Sequence, residues 1–140
     1  MTISLAAPAA GAAAPEPQYQ PGVCNIGPAE IRRRRMAGHV GVIATLVVLA
    51  ALIVIDAPPI ARLILILPAA GAASGYLQAW LKFCAGFGSR GVFNFGSLGA
   101  WTRITDDDAL ARDRRRSREI GGMALAVGIV VGIGAALLPF

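Results

Sequence analysis

The chain has 140 residues, of which 56% are hydrophobic and only 15% are charged, with a formal net charge of +5. Ordinary soluble domains carry about 25% charged residues, so this composition with its long apolar runs excludes that class and predicts an integral membrane protein. Basic blocks beside apolar segments favour membrane surfaces, including anionic headgroups, rather than nucleic acid as the partner of the positive charge.

Residues 1–23 are rich in alanine and proline, and we expect them to form a flexible tail. They lack the basic start and the continuous aliphatic core of a secretory signal peptide. The stretch NIGPAE follows at residues 25–30, where Pro28 suits the first turn of a helix and Glu30 favours its positive end. A helix is therefore predicted to start near Pro28 and to continue into the first apolar segment.

The first predicted membrane span covers residues 36–55, which carry no formal charge. Twenty helical residues cover about 30 Å, the thickness of a hydrocarbon core. The run Arg32, Arg33, Arg34 and Arg35 precedes this span and is expected to contact lipid headgroups or a partner. His39 lies near the start of the span. It is a candidate ligand for a chlorin, although a hydrogen-bonded or solvated imidazole is the preferred interpretation.

The second predicted span covers residues 60–81 and follows the first after the four-residue stretch 56–59. So short a connection predicts a tight antiparallel helical hairpin. Pro68 removes a backbone donor inside this span and predicts a kink there. Tyr76 and Trp80 lie towards its other end, as interfacial aromatic residues do.

The stretch KFCAGFGSRGVFNFG, residues 82–96, is interpreted as a structured exit from the second span. It contains Cys84, whereas Cys24 precedes the first span, so the two cysteines flank the hairpin. They are candidate thiols for sulfur relay or redox sensing. Lys82 and Arg90 would favour a thiolate at Cys84 if they lay close to it. The alternative is a pair of structural thiols in a reducing compartment.

Residues 97–119 are predicted to form a cytoplasmic connection that contains an Asp/Arg-rich helix. Thr105 and Asp108 have the spacing of a capping box, and Gly121 with Gly122 predicts a hinge after the helix. The arginines at 114–116 are further candidates for contact with headgroups or a partner: Arg114, Arg115 and Arg116.

The third predicted span covers residues 120–140, which gives an all-α membrane protein with three transmembrane helices. Four basic residues precede the first span and eight lie between the second and third spans, whereas the other side has Arg62 alone, within one turn of the start of the second span. The positive-inside rule then places the N-terminus in the cytoplasm and the C-terminus outside. Arg62 is expected to extend its side chain to the headgroups on the opposite side.

Two stretches have the GxxxG spacing of closely packed membrane helices. They are GAASG in the second span, with Gly71 and Gly75, and GIVVG in the third span, with Gly128 and Gly132. The alternative is the general abundance of glycine in membrane helices. The partner helix lies either in this chain or in another.

Residues 24–96 resemble a small bacterial inner-membrane family with a two-helix transmembrane domain, found alone or fused to rhodanese. The NIGPAE stretch followed by arginines resembles the family's opening, and Phe83, Cys84, Phe87 and Gly91 fit its closing pattern. Ala85 stands where the family usually has proline. The resemblance implies the hairpin, its two flanking motifs and a bacterial inner-membrane location. The catalytic cysteine of fused members belongs to the rhodanese domain, which has no counterpart here.

The sequence shows none of the common catalytic or metal-binding motifs, so we expect no enzymatic activity, no metal and no cofactor. The leading hypothesis is a non-enzymatic accessory or scaffolding subunit of a larger membrane complex, of photosynthetic or respiratory type. The first alternative is a thiol-dependent sulfur-relay or redox-sensing membrane protein that uses Cys24 and Cys84. The second alternative, a homo-oligomeric channel or transporter, ranks last because no ionisable residue lies at mid-membrane.

Overall fold

The computed structural model describes residues 18–140, so the prediction for residues 1–17 of the tail lies outside the described residues. Between residues 18 and 140 the chain is mostly helical, with one 3₁₀ helix and a pair of two-residue strands. The elements in chain order are α1 (Pro28–Val54), the 3₁₀ helix (Pro59–Leu65), α2 (Ile66–Leu81), α3 (Ala85–Arg90), β1 (Val92–Phe93), β2 (Thr102–Arg103) and α4 (Asp107–Leu137).

Three helical stretches are long and apolar enough to cross a membrane: Pro28–Val54, Pro59–Leu81 and Asp107–Leu137. This confirms the prediction of a mostly helical, multi-pass membrane protein. Large apolar side chains remain exposed along α1 and α4, including Ile43, Leu46 and Val130. Such exposure suits lipid rather than water as the surrounding solvent.

Helix α1 contains both the arginine run and the first apolar segment, as the position of Pro28 predicted. Pro28 lies in the first turn, where its missing N–H removes no helical hydrogen bond. The helix ends at Val54, and Asp56 then adopts a left-handed backbone with φ 51°. Ala57 N–H donates to the Leu52 carbonyl oxygen at 2.9 Å, which closes the turn.

The second membrane stretch changes from a 3₁₀ helix to the α-helix α2 at Ile66, two residues before Pro68. In a regular α-helix the N–H of residue 68 would bond to the carbonyl of residue 64, and proline has no N–H to donate. The predicted irregularity therefore takes the form of a tighter helix on the N-terminal side of Pro68.

Helix α4 is continuous from Asp107 to Leu137, so the predicted hinge at Gly121 and Gly122 is wrong. A break at membrane depth would leave backbone groups without partners. The predicted capping box is also wrong. Asp106 is the N-cap, and its carboxylate accepts the Ala109 N–H at 2.9 Å. Aspartate is at least as good an N-cap as threonine and adds a favourable charge at the positive helix end.

One stripe of mostly small side chains runs along the whole of α4 and explains its continuity. The buried residues recur every three or four positions, which places them on one helix face: Ala109, Asp113, Ser117, Ile120, Ala124, Gly128, Gly132 and Ala135. Near its start this face meets α3, because a Cβ on Gly88 would clash with the Ser117 hydroxyl. Further along, it meets α2 at Ile66 and Ala70.

Helix α2 contacts α1 and α4 through different faces. Towards α1, a Cβ on Gly75 would lie 2.5 Å from the backbone nitrogen of Gly38, and one on Gly41 would lie 2.7 Å from the Ala72 backbone. Towards α4, a Cβ on Gly128 would lie 2.6 Å from the Ile66 carbonyl oxygen. Approach this close requires small residues, as in other membrane helix pairs.

Candidate functional site

Buried polar side chains gather beside the arginine-rich end of α1. We call this cluster the polar junction and define it as Asn25, Glu30, Arg34, Cys84 and Asn94. All except Arg34 are almost fully buried, with exposures of 0 to 4%. The cluster joins three stretches of chain that are distant in sequence: the approach to α1, the exit from α2 and the loop after β1.

Asn25 connects the approach to α1 with the exit from α2. The Cys84 N–H donates to Asn25 Oδ1 at 2.6 Å, and Asn25 Nδ2 donates to the Cys84 carbonyl oxygen at 3.1 Å. The Asn25 N–H also donates to the Lys82 carbonyl oxygen at 3.2 Å. One side chain thus satisfies both backbone groups of a buried residue, which no apolar replacement can do.

Asn94 extends the junction into the loop after β1. Its backbone N–H donates to the Asn25 carbonyl oxygen at 3.0 Å, and its own carbonyl accepts the Gly27 N–H at 2.9 Å. Asn94 Nδ2 donates to the Ser97 carbonyl oxygen at 2.8 Å and to Glu30 Oε1 at 3.4 Å. The start of α1 is therefore held against this loop through backbone and side-chain bonds together.

Arg34 directs its guanidinium into the junction, whereas the other three arginines of the run are exposed. Arg34 Nη2 donates to Cys84 Sγ at 2.9 Å and lies 3.7 Å from Glu30 Oε2. The ring of Phe87 lies 5.9 Å from the guanidinium carbon, in cation–π range. The cation in contact with Cys84 Sγ is thus Arg34, a residue that the sequence analysis did not connect with this thiol, and Glu30 one turn earlier on the same helix face favours a positive charge there.

The two cysteines are both free and lie in different surroundings. Cys84 is 2% exposed. Cys24 is half-buried, and its thiol lies 3.8 Å from the Ile26 carbonyl oxygen. Burial raises the pKa of the Cys24 thiol above its ordinary value, against the opposing effects of a backbone hydrogen bond at Ile26 and of the positive charge on Lys82. Cys24 is therefore a protonated thiol at neutral pH.

Asp113 on α4 anchors the stretch that precedes α1, a role that the sequence reading missed. Its side chain is fully buried and accepts the Tyr19 hydroxyl at 2.8 Å and the Gly22 N–H at 2.7 Å. Burial, and next the hydrogen bond to Asp113, raise the pKa of Tyr19 well above its usual range. Tyr19 also stacks on Phe93 at 4.8 Å. These contacts hold residues 19–22, part of the predicted tail, against α4.

At the opposite end of the helices, Arg62 is 4% exposed and does not extend to the surface as expected. Its guanidinium donates to the carbonyl oxygens of Ala135, Leu138 and Phe140 at 3.2, 2.8 and 3.3 Å. These carbonyls lie at the C-terminal end of α4, where orphan acceptors carry partial negative charge. Arg62 thus caps α4, and the Phe140 ring lies 5.2 Å from its guanidinium carbon.

The remaining predicted site residues lie outside the junction. His39 Nδ1 lies 2.6 Å from the Tyr76 hydroxyl, so its ring has a hydrogen-bond partner on α2. Gly75, Gly128 and Gly132 lie against neighbouring helices of this chain, whereas a Cβ on Gly71 would meet nothing within 4 Å among residues 18–140.

The arginines on the surface of α4 lie in two different settings. Arg115 and Arg116 each lie 3.2 Å from Glu119, whereas Arg114 and Arg118 line a small cleft with Ser89. Within residues 18–140 no group of three or more His, Cys, Asp or Glu side chains is placed to hold a metal ion.

A groove runs along α2, with α1 beside both of its parts and α4 beside its narrower part alone among residues 18–140. Its wider part has a volume of about 520 Å³ and lies beside Arg35, Tyr76 and Trp80. Its narrower part has a volume of about 260 Å³ and extends towards Thr45 and Val131. Ala73 and Tyr76 line both parts, so the two parts adjoin at these residues.

Comparison of the chain with protein-family models, curated proteins and solved structures finds no match. The resemblance to the two-helix family therefore stays a prediction. The class of protein follows from the three apolar helices alone, and that class is a multi-pass membrane protein.

Proposed function

We propose that this protein is a non-enzymatic accessory or scaffolding subunit of a larger membrane complex, in the bacterial inner membrane. In this arrangement α1 and the second membrane stretch form an antiparallel hairpin with the N-terminus in the cytoplasm. The pairing of Gly38 with Tyr76 and of Gly41 with Ala72 supports the antiparallel direction. The twelve-to-one distribution of basic side chains supports the orientation.

The observation that carries the scaffold proposal is the open face of α2 at Gly71. Gly71 lies four residues, about one turn, before Gly75, yet within residues 18–140 a Cβ on Gly71 would meet no atom of a neighbouring element within 4 Å. The open face therefore presents a thin strip of backbone at membrane depth, where a helix of another subunit can approach closely. The polar side chains support the same proposal, since those of the junction are engaged in hydrogen bonds that hold the chain together.

The test is co-purification from membranes in a mild detergent. We expect the wild-type protein to elute with partner polypeptides, and Gly71→Leu to elute without them. Gly134→Leu is the matched control, because a Cβ on Gly134 of α4 would likewise meet nothing within 4 Å in the described part of the chain. A wild-type protein that elutes as a lone monomer, or a Gly71→Leu variant that keeps its partners, would contradict the proposal.

A thiol function is the second candidate, and the contact of Arg34 Nη2 with Cys84 Sγ at 2.9 Å favours it. A guanidinium stabilises a thiolate, the reactive form of cysteine. Access to Cys84 requires the junction to open, since the residue is 2% exposed. Cys84→Ser and Cys24→Ser should each be tested for persulfide transfer and for a redox phenotype. Unchanged behaviour of both variants would eliminate this function.

A further inference from the structure

The groove along α2 differs in chemistry from one end to the other. At its wider end lie the Arg35 guanidinium and the Trp80 ring, and Trp80 is 80% exposed. Its narrower end is lined by aliphatic side chains, the alanines of α2 and Thr45. The Thr45 hydroxyl is already engaged, since it donates to the Gly41 carbonyl oxygen at 2.8 Å. We call the wider end with Arg35 and Trp80 the charged mouth, and the narrower part the apolar track. This order of a charged and an apolar region complements the chemistry of an amphiphile with one anionic end.

The charged mouth lies at the level expected for lipid headgroups. The uncharged stretch of α1 begins directly after Arg35, and tryptophan prefers the membrane–water interface. Within residues 18–140 the ion pairs are formed by Arg34, Arg115 and Arg116, so Arg35 keeps its charge free of an acidic partner there. The track then descends from this level towards the middle of the membrane.

The narrower part is too small for a helix. It spans Val42 to Leu46 on α1 and Val127 to Val131 on α4, which is about one helical turn of each, yet its volume is about 260 Å³. One turn of an α-helix about 10 Å wide and 5.4 Å long occupies about 400 Å³. A single acyl chain is much thinner than a helix.

We propose that this groove binds one anionic glycerophospholipid, with its phosphate at Arg35 and one acyl chain along Ala73 towards Thr45 and Val131. The site goes beyond the scaffold function and does not depend on it, since Gly71 lies on another face of α2. At about 100° per residue, Gly71 and Ala73 are about 160° apart around the helix.

The test is native mass spectrometry of the full-length protein after removal of co-purified lipid, with added phosphatidylglycerol as the probe and phosphatidylcholine as the neutral comparison. We expect one phosphatidylglycerol to remain bound in preference to phosphatidylcholine. Arg35→Gln should weaken its binding about fivefold. Arg33→Gln removes the same charge two residues earlier, on another helix face, and should change binding less than twofold. Equal losses in the two variants would reveal a diffuse basic surface and overturn the proposal.

The apolar track is tested separately. Ala73→Phe should abolish retention of the lipid, whereas Ala126→Phe, on an exposed part of α4 outside the groove, should leave it unchanged. Crosslinking of the wild-type protein with a photoactivatable phosphatidylglycerol needs no variant to fold, and it should label peptides of α2 and α4 that contain Ala73 and Val131. Labelling elsewhere, retention of lipid by Ala73→Phe, or a second copy of the chain crosslinked into the groove would overturn the proposal.

Discussion

The two ends of the helical core are held together in contrasting ways. At the arginine-rich end, the polar junction joins three stretches of chain through side-chain and backbone hydrogen bonds. At the opposite end, the Arg62 guanidinium binds three carbonyl oxygens at the end of α4. The difference follows from the chain's layout. One end has long connections with many buried backbone groups to satisfy, whereas the other has a short turn and one helix terminus.

The largest effect is expected for Asn25→Ala, which removes both side-chain partners of the Cys84 backbone. The buried Cys84 N–H then lacks a hydrogen bond and its carbonyl oxygen keeps only the Gly88 N–H at 2.9 Å, so we expect a loss of about 3 kcal/mol in the free energy of unfolding. Unfolding in detergent micelles with a chemical denaturant measures it. Gln20→Ala, at an exposed side chain close by, is the control and should change stability by less than about 0.5 kcal/mol. Equal denaturation midpoints for Asn25→Ala and Gln20→Ala would show that the polar junction does not stabilise the arginine-rich end.

Gly75→Ala tests the contact between α1 and α2 that lies between the two ends. The new Cβ would lie 2.5 Å from the Gly38 backbone nitrogen and 2.8 Å from the Arg34 carbonyl oxygen. Because backbone atoms cannot rotate away from the new Cβ, α1 and α2 must separate. We expect a loss of about 2 kcal/mol in the free energy of unfolding. Gly71→Ala is the matched control. This variant should leave the free energy of unfolding unchanged or raise it by up to about 1 kcal/mol. Alanine favours a helix, and within residues 18–140 its Cβ would meet nothing within 4 Å. A stabilising Gly75→Ala together with a destabilising Gly71→Ala would contradict the observed packing of α1 against α2.

Arg62→Gln tests the opposite end. We expect a loss of about 1 to 2 kcal/mol in the free energy of unfolding, since two of the three carbonyl oxygens that lose their donor belong to the exposed residues Leu138 and Phe140. Hydrogen exchange should quicken near Ala135 and Phe140 while the amides of the polar junction stay protected. Arg62→Lys should give an intermediate result, because an ammonium lacks the fork geometry of a guanidinium. Faster exchange at Cys84 in Arg62→Gln would show that the two ends are coupled rather than independent.

The smallest effect is expected for Glu119→Gln, at the arginine-rich end but on the surface. Glu119 pairs with Arg115 and Arg116 at 3.2 Å, and its side chain is 44% exposed. Solvent screens such pairs, so the change in unfolding free energy should stay below about 1 kcal/mol. A loss comparable to that of Asn25→Ala would mean that surface charge, rather than the buried junction, distinguishes the two ends.

Local features of α4 show why some expectations from the sequence were wrong. Gly121 and Gly122 predicted a hinge because glycine weakens an isolated helix. Packing of the buried stripe on both sides of this pair outweighs that weakness, with Ser117 against α3 and Gly128 against α2. The intrinsic helix propensity of a residue predicts its structure only weakly, and tertiary contacts commonly override it.

The sequence by itself determined the three membrane-length helices and the start of α1 at Pro28. Length, uninterrupted apolar composition and a proline in a first turn are local properties, so they can be read along the chain. Only the tertiary structure decided the partners of the polar side chains. Arg34 and Cys84 are 50 residues apart in sequence, Arg62 and Ala135 are 73 apart, and Tyr19 and Asp113 are 94 apart. Such pairs form because a buried polar group without a hydrogen bond costs free energy. The packing of the helices determines which partner lies within hydrogen-bond distance.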